Sequence, residues 1–168
     1  MKKIGIFYGS TTGTTSAVAE AIAAKLGVGK EHLHDVARGN AAAADGYEFL
    51  ILGSSTWGVG DLQDDWYDFL AALAKRNLAG KTVAIFGCGD GSSFGSSFCD
   101  AVGIIHDDLQ PTGCRFAGAV PDAGYSYDES RALQDGQFVG LPLDDVNEPE
   151  LTDSRVTAWL SALAPDLA

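Results

Sequence analysis

The chain has 168 residues, 46% of them hydrophobic, which is enough to bury one core and fits a single domain. Its 11 basic and 23 acidic residues give a net charge of -12, which argues against nucleic acid and anionic membrane surfaces as partners and for proteins that are basic at the contact. Three cysteines, Cys88, Cys99 and Cys114, are odd in number and form no CxxC pair, so reduced and mostly buried thiols are expected rather than a disulfide framework or a zinc site. The apolar run IGIFY near the start is too short for a secretion signal, and no stretch is long enough to span a bilayer, so cytoplasmic residence is expected.

In chain order, KIGIFY (3–8) reads as a strand, and residues 14–26 read as a helix with Val18, Ile22 and Leu26 on one face. A weak polar strand is expected near 31–36. His32 and His34 share its face, and with no third ligand in the pattern a polar edge strand explains them better than a metal. YEFLILG (47–53) is a strong strand, followed by a helix near 63–75 that carries Trp66, Phe69, Leu70 and Leu73. Strand KTVAIFG (81–87), a helix over 96–110 and strand CRFAGAV (114–120) come next. A last helix spans 152–163, with Thr152 as N-cap and Arg155 a turn inside. Trp66 and Trp159 fall in helical apolar patterns and are expected in the core. Alternating strands and helices, with strands apolar on both faces, indicate an α/β fold in three layers around a parallel sheet. Residues 121–137, PDAGYSYDESRALQDGQ, break the rhythm before a second apolar run, FVGLPL, and read as an insertion splitting the last strand. Both a partner surface and a stabilising flap fit that insertion.

The loop GSTTGTTS (9–16) follows the first strand and opens the first helix, so its free amides and the helix dipole favour an anion. Ser10, Thr11, Thr12, Thr14 and Thr15 add hydroxyl donors, and Gly13 permits a tight turn. A plain helix cap needs only one of these hydroxyls. The nearest cations in the chain are Lys3 and Lys25, so the loop suits one terminal phosphate rather than the triphosphate cradle GxxxxGK[ST]. It lacks the GxGxxG dinucleotide pattern too, and the first strand lacks the acidic pair of a receiver domain.

Two more loops leave the same edge of the sheet. GSSTWGVGDLQDDW (53–66) sets Trp57 among small residues, where core packing explains it poorly. FGCGDGSSFGSSFCD (86–100) carries Phe94 and Asp90, although Phe94 and Phe98 both fit a core as well. Gly91 to Gly95 match the hydrolase elbow GxSxG, yet the only later histidine, His106, lies on the helix that follows at once, which is wrong for a triad.

Together STTGTT, TWGVGDLQDDW, FGCGDGSSF with CDA, and GYSYDESRALQDGQFVGLPLD resemble a flavodoxin of the long-chain type over the length of the chain. The resemblance implies a five-stranded parallel sheet in the order 2-1-3-4-5, the last strand split, and a low-potential one-electron carrier using non-covalently bound FMN. In doubly wound sheets, flavodoxins among them, ligands sit beyond the carboxyl ends of the strands, where the three loops are expected. By position, Ser10, Thr11, Thr12, Gly13, Thr14 and Thr15 would wrap the FMN phosphate. Trp57 would cover one face of the ring, with Ser55, Thr56, Gly58, Val59 and Gly60 completing its loop. Phe94 would cover the other face, where the family most often has Tyr. Backbone around Cys88, Gly89, Asp90 and Cys99 would meet the pyrimidine end.

In the family, the peptide after the Trp turns its carbonyl towards flavin N5 when reduction protonates it. Here that peptide joins Gly58 to Val59, and the glycine tolerates the positive φ such a turn requires. The implied carrier shuttles between semiquinone and hydroquinone. It works as a monomer with basic-faced redox proteins, such as a flavodoxin or ferredoxin reductase and a low-potential acceptor enzyme. The rival on the same fold is an FMN-dependent quinone or nitro reductase. Asp144, Asp145 and Glu148 read as serving solubility. Asp61, Asp64, Asp65 and Asp90 lie near the ring in sequence, and neither aromatic loop holds a Lys or Arg. Each acid roughly 10 Å away opposes added negative charge by about 0.4–1.7 kcal/mol, roughly 20–70 mV for a one-electron couple before screening. Stepwise potentiometry is expected to find a second couple well below the first; both electrons entering together near the free-flavin value would contradict this.

Overall fold

Strand β1 (Ile4–Gly9) is apolar on both sides because it lies at the centre of a sheet covered on both faces. In the computed structural model, which describes residues 1–168, the alternation is strict. Ile4 and Ile6 of β1 and Phe49 and Ile51 of β3 (Phe49–Trp57) enter one core, whereas Phe7, Leu50 and Leu52 enter the other. The first core is closed by helix α1 (Thr14–Leu26), through Val18 and Ile22, and by α4 (Thr152–Leu167), through Val156, Trp159 and Leu163. The second is closed by α2 (Trp66–Leu73), through Trp66, Phe69 and Leu70, and by α3 (Asp100–Leu109), through Val102 and Ile105. Trp66 is fully buried, and its indole N–H donates to the Gly53 carbonyl at 2.8 Å, which removes the penalty of burying that donor.

In sequence the strands are β1, β2 (Leu33–Asp35), β3 (Phe49–Trp57), β4 (Asp61–Leu62), β5 (Thr82–Cys88), β6 (Arg115–Ala117), β7 (Val120–Pro121), β8 (Leu133–Gln134), β9 (Gln137–Phe138) and β10 (Leu141–Leu143). The parallel path runs β2-β1-β3-β5-β10, with β6 also pairing with β5. This is the order expected from the sequence: β6 pairs with Thr82 to Ala84 and β10 with Phe86 to Cys88, as two halves of one fifth strand. Strands β7, β9 and β8 form a small antiparallel sheet between the halves. Val120 therefore does not continue the fifth strand, and Phe138 belongs to the inserted sheet. Phe138 packs on Tyr125 (ring centroids 5.1 Å) and on Phe98 (6.5 Å), and Phe98 stacks on Tyr127 (5.4 Å), so aromatic contacts fasten the insertion to the segment before α3.

The last helix differs from expectation at both ends. Thr152 is its first helical residue rather than its cap, because Pro149–Leu151 already form a 3-10 turn leading into it, and the Thr152 hydroxyl donates to the Asp145 carboxylate. The helix runs on to Leu167, which extends the buried stripe, and Lys2 closes its end: the Lys2 amide donates to Leu167 O at 2.9 Å and its ammonium to Asp166 O at 2.8 Å.

On the edge, His32 lies in the 3-10 turn Lys30–His32 and His34 on β2, and both rings turn to the Tyr47 hydroxyl, at 3.1 and 2.7 Å. His34 also stacks on Phe7, with centroids 4.6 Å apart. Burial, with His32 beside it, holds His34 below its ordinary value of 6.5. A folded pKa below the unfolded one means that the unfolded chain takes the proton first. Stability from neutral His34 is therefore whole above about pH 6.5 and is lost as pH falls from there towards the folded pKa. Between about pH 7.5 and about pH 5.5, Tm is expected to fall more steeply for the wild type than for His34→Gln; parallel profiles would contradict the assignment.

Candidate functional site

Neighbouring strands bring three loops to one edge. Gly9 of β1 pairs with Ser54 of β3, and Ser55 with Cys88 of β5, so the three chains leave the sheet side by side, about 5 Å apart.

The first loop, residues 10–13, turns into α1 at Gly13, whose φ of 96° lies in the left-handed region. Ser10 Oγ accepts the Gly13 amide at 3.1 Å. The amides of Thr11, Thr12, Thr14, Thr15 and Ser16 meet no protein acceptor, and the buried Thr15 hydroxyl has no partner either. Thr11 and Thr12 are exposed, Thr14 is half-buried and Thr15 is buried. Unpaired donors converge here without any charged side chain, an arrangement that accepts an anion by dipoles alone.

In the second loop β3 runs to Trp57, and β4 folds back on it through Thr56–Leu62 and Trp57–Asp61 pairs, with Gly58 at φ 52° in the turn. Trp57 is 41% exposed and its indole N–H donates to Ser55 Oγ at 2.8 Å, so Ser55 holds the ring. Thr56 Oγ1 accepts the Ala101 amide at 3.0 Å in the first turn of α3, tying this loop to the third. Val59 stands out into solvent next to Gly60, and Asp61, Asp64, Asp65 and Asp68 form an exposed acidic rim.

The third loop separates the two phenylalanines: Phe98 is 1% exposed and in the core, whereas Phe94 is 48% exposed. The repeated SSF hid this difference, since both copies have the same local chemistry. Asp90 orders the turn by accepting from Ser93 N (2.9 Å), Ser92 N (3.1 Å) and Asn147 Nδ2 (2.8 Å), and those bonds hold its carboxyl below the usual range. The Gly89 amide is used by Leu143 O at 2.8 Å. Cys88 and Cys99 are buried, and burial pushes the Cys88 thiol up to about 12 and Cys99 well above its ordinary value. Both thiols stay protonated, so what these positions offer a ligand is backbone. His106 packs on Phe116 (centroids 4.2 Å), and its nitrogens meet Asp107 and Gln110 rather than Ser93, so the GxSxG match has no triad.

Asp144 corrects the reading of it as a solubility residue. It is 2% exposed and accepts Gly91 N at 3.0 Å and Asn147 N at 2.9 Å. Asn147 Nδ2 then bridges it to Asp90. Glu148 pairs with Arg155 at 3.2 Å, and Asp145 takes the Thr152 hydroxyl. The available signal was D-x-x-N directly after an apolar strand, the spacing of a side chain that caps its own turn. Sequence reasoning also passed over Gln63, which is buried between the first two loops. Asp144→Ala is expected to cost about 2 kcal/mol of stability and to speed hydrogen exchange at Gly91, since it leaves that amide unpaired; unchanged exchange would contradict the clamp.

The flavodoxin family model matches residues 6–159. A flavodoxin of Klebsiella pneumoniae is 41% identical, covering 99% of this chain and 96% of its own length, and one of Synechocystis is 42% identical, covering 99% of each. The structure of a Fusobacterium nucleatum flavodoxin bound to flavin mononucleotide superposes with a TM-score of 0.92 at 32% identity, covering 100% of both chains. With the three loops at one sheet edge, these likenesses make this chain a member of the flavodoxin family.

Proposed function

We propose that this flavodoxin binds FMN without a covalent bond where the three loops meet and carries electrons singly between redox enzymes, rather than turning over a substrate itself. The observation that carries the reading is the first loop, whose unpaired amides and buried Thr15 hydroxyl suit a phosphate. When bound, FMN supplies a ring that takes up and releases electrons one at a time.

The chain's own residues then have distinct tasks. Ser10 to Thr15 hold the phosphate with hydroxyls and amides. Trp57, steadied by Ser55, and Phe94, on a turn ordered by Asp90, offer flat apolar faces to the ring. Gly58 keeps the φ of 52° that an L side chain rarely adopts, so the following peptide is free to turn its carbonyl towards a protonated ring nitrogen. Backbone of Thr56, Val59 and Gly60, and around Cys88, Gly89, Asp90 and Cys99, surrounds the remaining edge. With no Lys or Arg in the two aromatic loops, negative charge on the ring is left without a counterion, which favours release of electrons at low potential.

The acidic rim supports partners with basic faces, such as a flavodoxin or ferredoxin reductase and a low-potential acceptor. No helix is long and apolar enough to cross a membrane, and we place the carrier in the cytoplasm as a monomer. Apoprotein is expected to take up one FMN, and Trp57→Ala to weaken it about 10- to 100-fold through lost stacking. Reduction by a basic reductase is expected to slow as salt rises. Steady-state NADPH–quinone turnover by the isolated protein, or rates indifferent to salt, would count against the carrier.

A further inference from the structure

Gln63 is 1% exposed, an unusual place for an amide, and every polar atom of its side chain is engaged. Its Oε1 accepts the Asp65 backbone N–H at 3.0 Å. Its Nε2 donates to Asp65 Oδ2 at 2.7 Å and to Thr11 Oγ1 at 3.1 Å. The orientation of this amide is chemically forced. A backbone N–H must find an acceptor and a carboxylate must find a donor, so flipping the amide would break both contacts with Asp65. Gly9 leaves the room this side chain fills, since a side-chain carbon there would lie 2.3 Å from Gln63 Oε1 and 2.6 Å from the Trp66 ring. The remaining N–H therefore always points at Thr11.

A hydroxyl has one hydrogen and two lone pairs. Because Thr11 Oγ1 receives the Gln63 hydrogen, its own hydrogen is left to point elsewhere, and Thr11 is exposed on the loop whose neighbouring amides lack acceptors. We propose that Gln63 is the positioning residue of the anion loop: by donating to Thr11 from beneath, it commits the Thr11 hydroxyl to donate outward to the phosphate. The inference rests on the FMN reading and adds to it a link between the loop that holds the phosphate and the loop that carries Trp57.

A carboxylate at position 63 reverses the polarity, because it can only accept and draws the Thr11 hydrogen inward. Changing Asp65 at the same time removes the repulsion between two acids, so Gln63→Glu/Asp65→Asn keeps the net charge of the wild type. The test titrates apoprotein with FMN and with riboflavin, which lacks the phosphate. In the double variant the preference for FMN over riboflavin is expected to fall about tenfold, the size of one hydrogen bond to a charged group. Thr11→Val is expected to do the same, Thr11→Ser to restore most of the preference, and Thr11→Val added to the double variant to bring no further loss. Equal weakening of FMN and riboflavin in the double variant, additive losses, or an unchanged preference in Thr11→Val would overturn the proposal. The last of these needs no change at Gln63 and so stands even where the double variant fails to fold. Wild-type apoprotein that takes up neither flavin overturns the carrier reading itself, and the proposal with it.

Discussion

Five consecutive or nearly consecutive peptide amides with no acceptor in the protein, at the start of α1, are the constraint around which the site is arranged. A helix leaves its first amides unpaired wherever it begins, and most helices satisfy them with a cap or water. Here the left-handed turn at Gly13 and the hydroxyls beside it gather them at one point. A chain of net charge -12 repels an anion at long range, so the short-range dipoles have to supply the attraction unaided. The same absence of cations would leave a flavin ring held between the other two loops without a counterion.

Such a site works only if its donors do not wander. The three loops are braced by side-chain hydrogen bonds: Thr56 caps α3, Gln63 joins Thr11 to Asp65, and Asp144 and Asn147 grip the turn at Asp90 and Gly91. Burying the Asp144 carboxylate costs several kcal/mol unless its lone pairs are filled. Gly91 N, Asn147 N and Asn147 Nδ2 fill them, and the result is a rigid wall on the third loop. Preorganisation of this kind reduces the ordering cost that binding otherwise carries.

How much of this could be read in the sequence follows from the range of the interactions. The strands alternate between two cores at a period of two, and the helices carry stripes at a spacing of four, so β1, β3, β5 and α1 stand out in the chain. The hydroxyl loop and Trp57 were legible because residues of unusual type sit where a strand ends. Asp144 and Gln63 were harder: each has a neighbour as partner, Asn147 and Asp65, but the contacts that tie them to the site, with Gly91 and Thr11, span 53 and 52 positions. Phe94 and Phe98 share a repeated tripeptide, and only the fold decides which ring turns inward. Thr152 has the chemistry of a cap, but the 3-10 turn ahead of it starts the helix sooner.

The central claim is that phosphate is held by neutral donors against an unfavourable net charge, and the salt dependence of FMN affinity tests it most directly. Raising salt from about 20 mM to about 300 mM shortens the screening length severalfold and weakens the long-range repulsion while leaving short hydrogen bonds in place. The expected result is a dissociation constant that holds steady or falls across that range. A constant that rises steeply with salt, as it does when a cation grips the phosphate, would contradict the account.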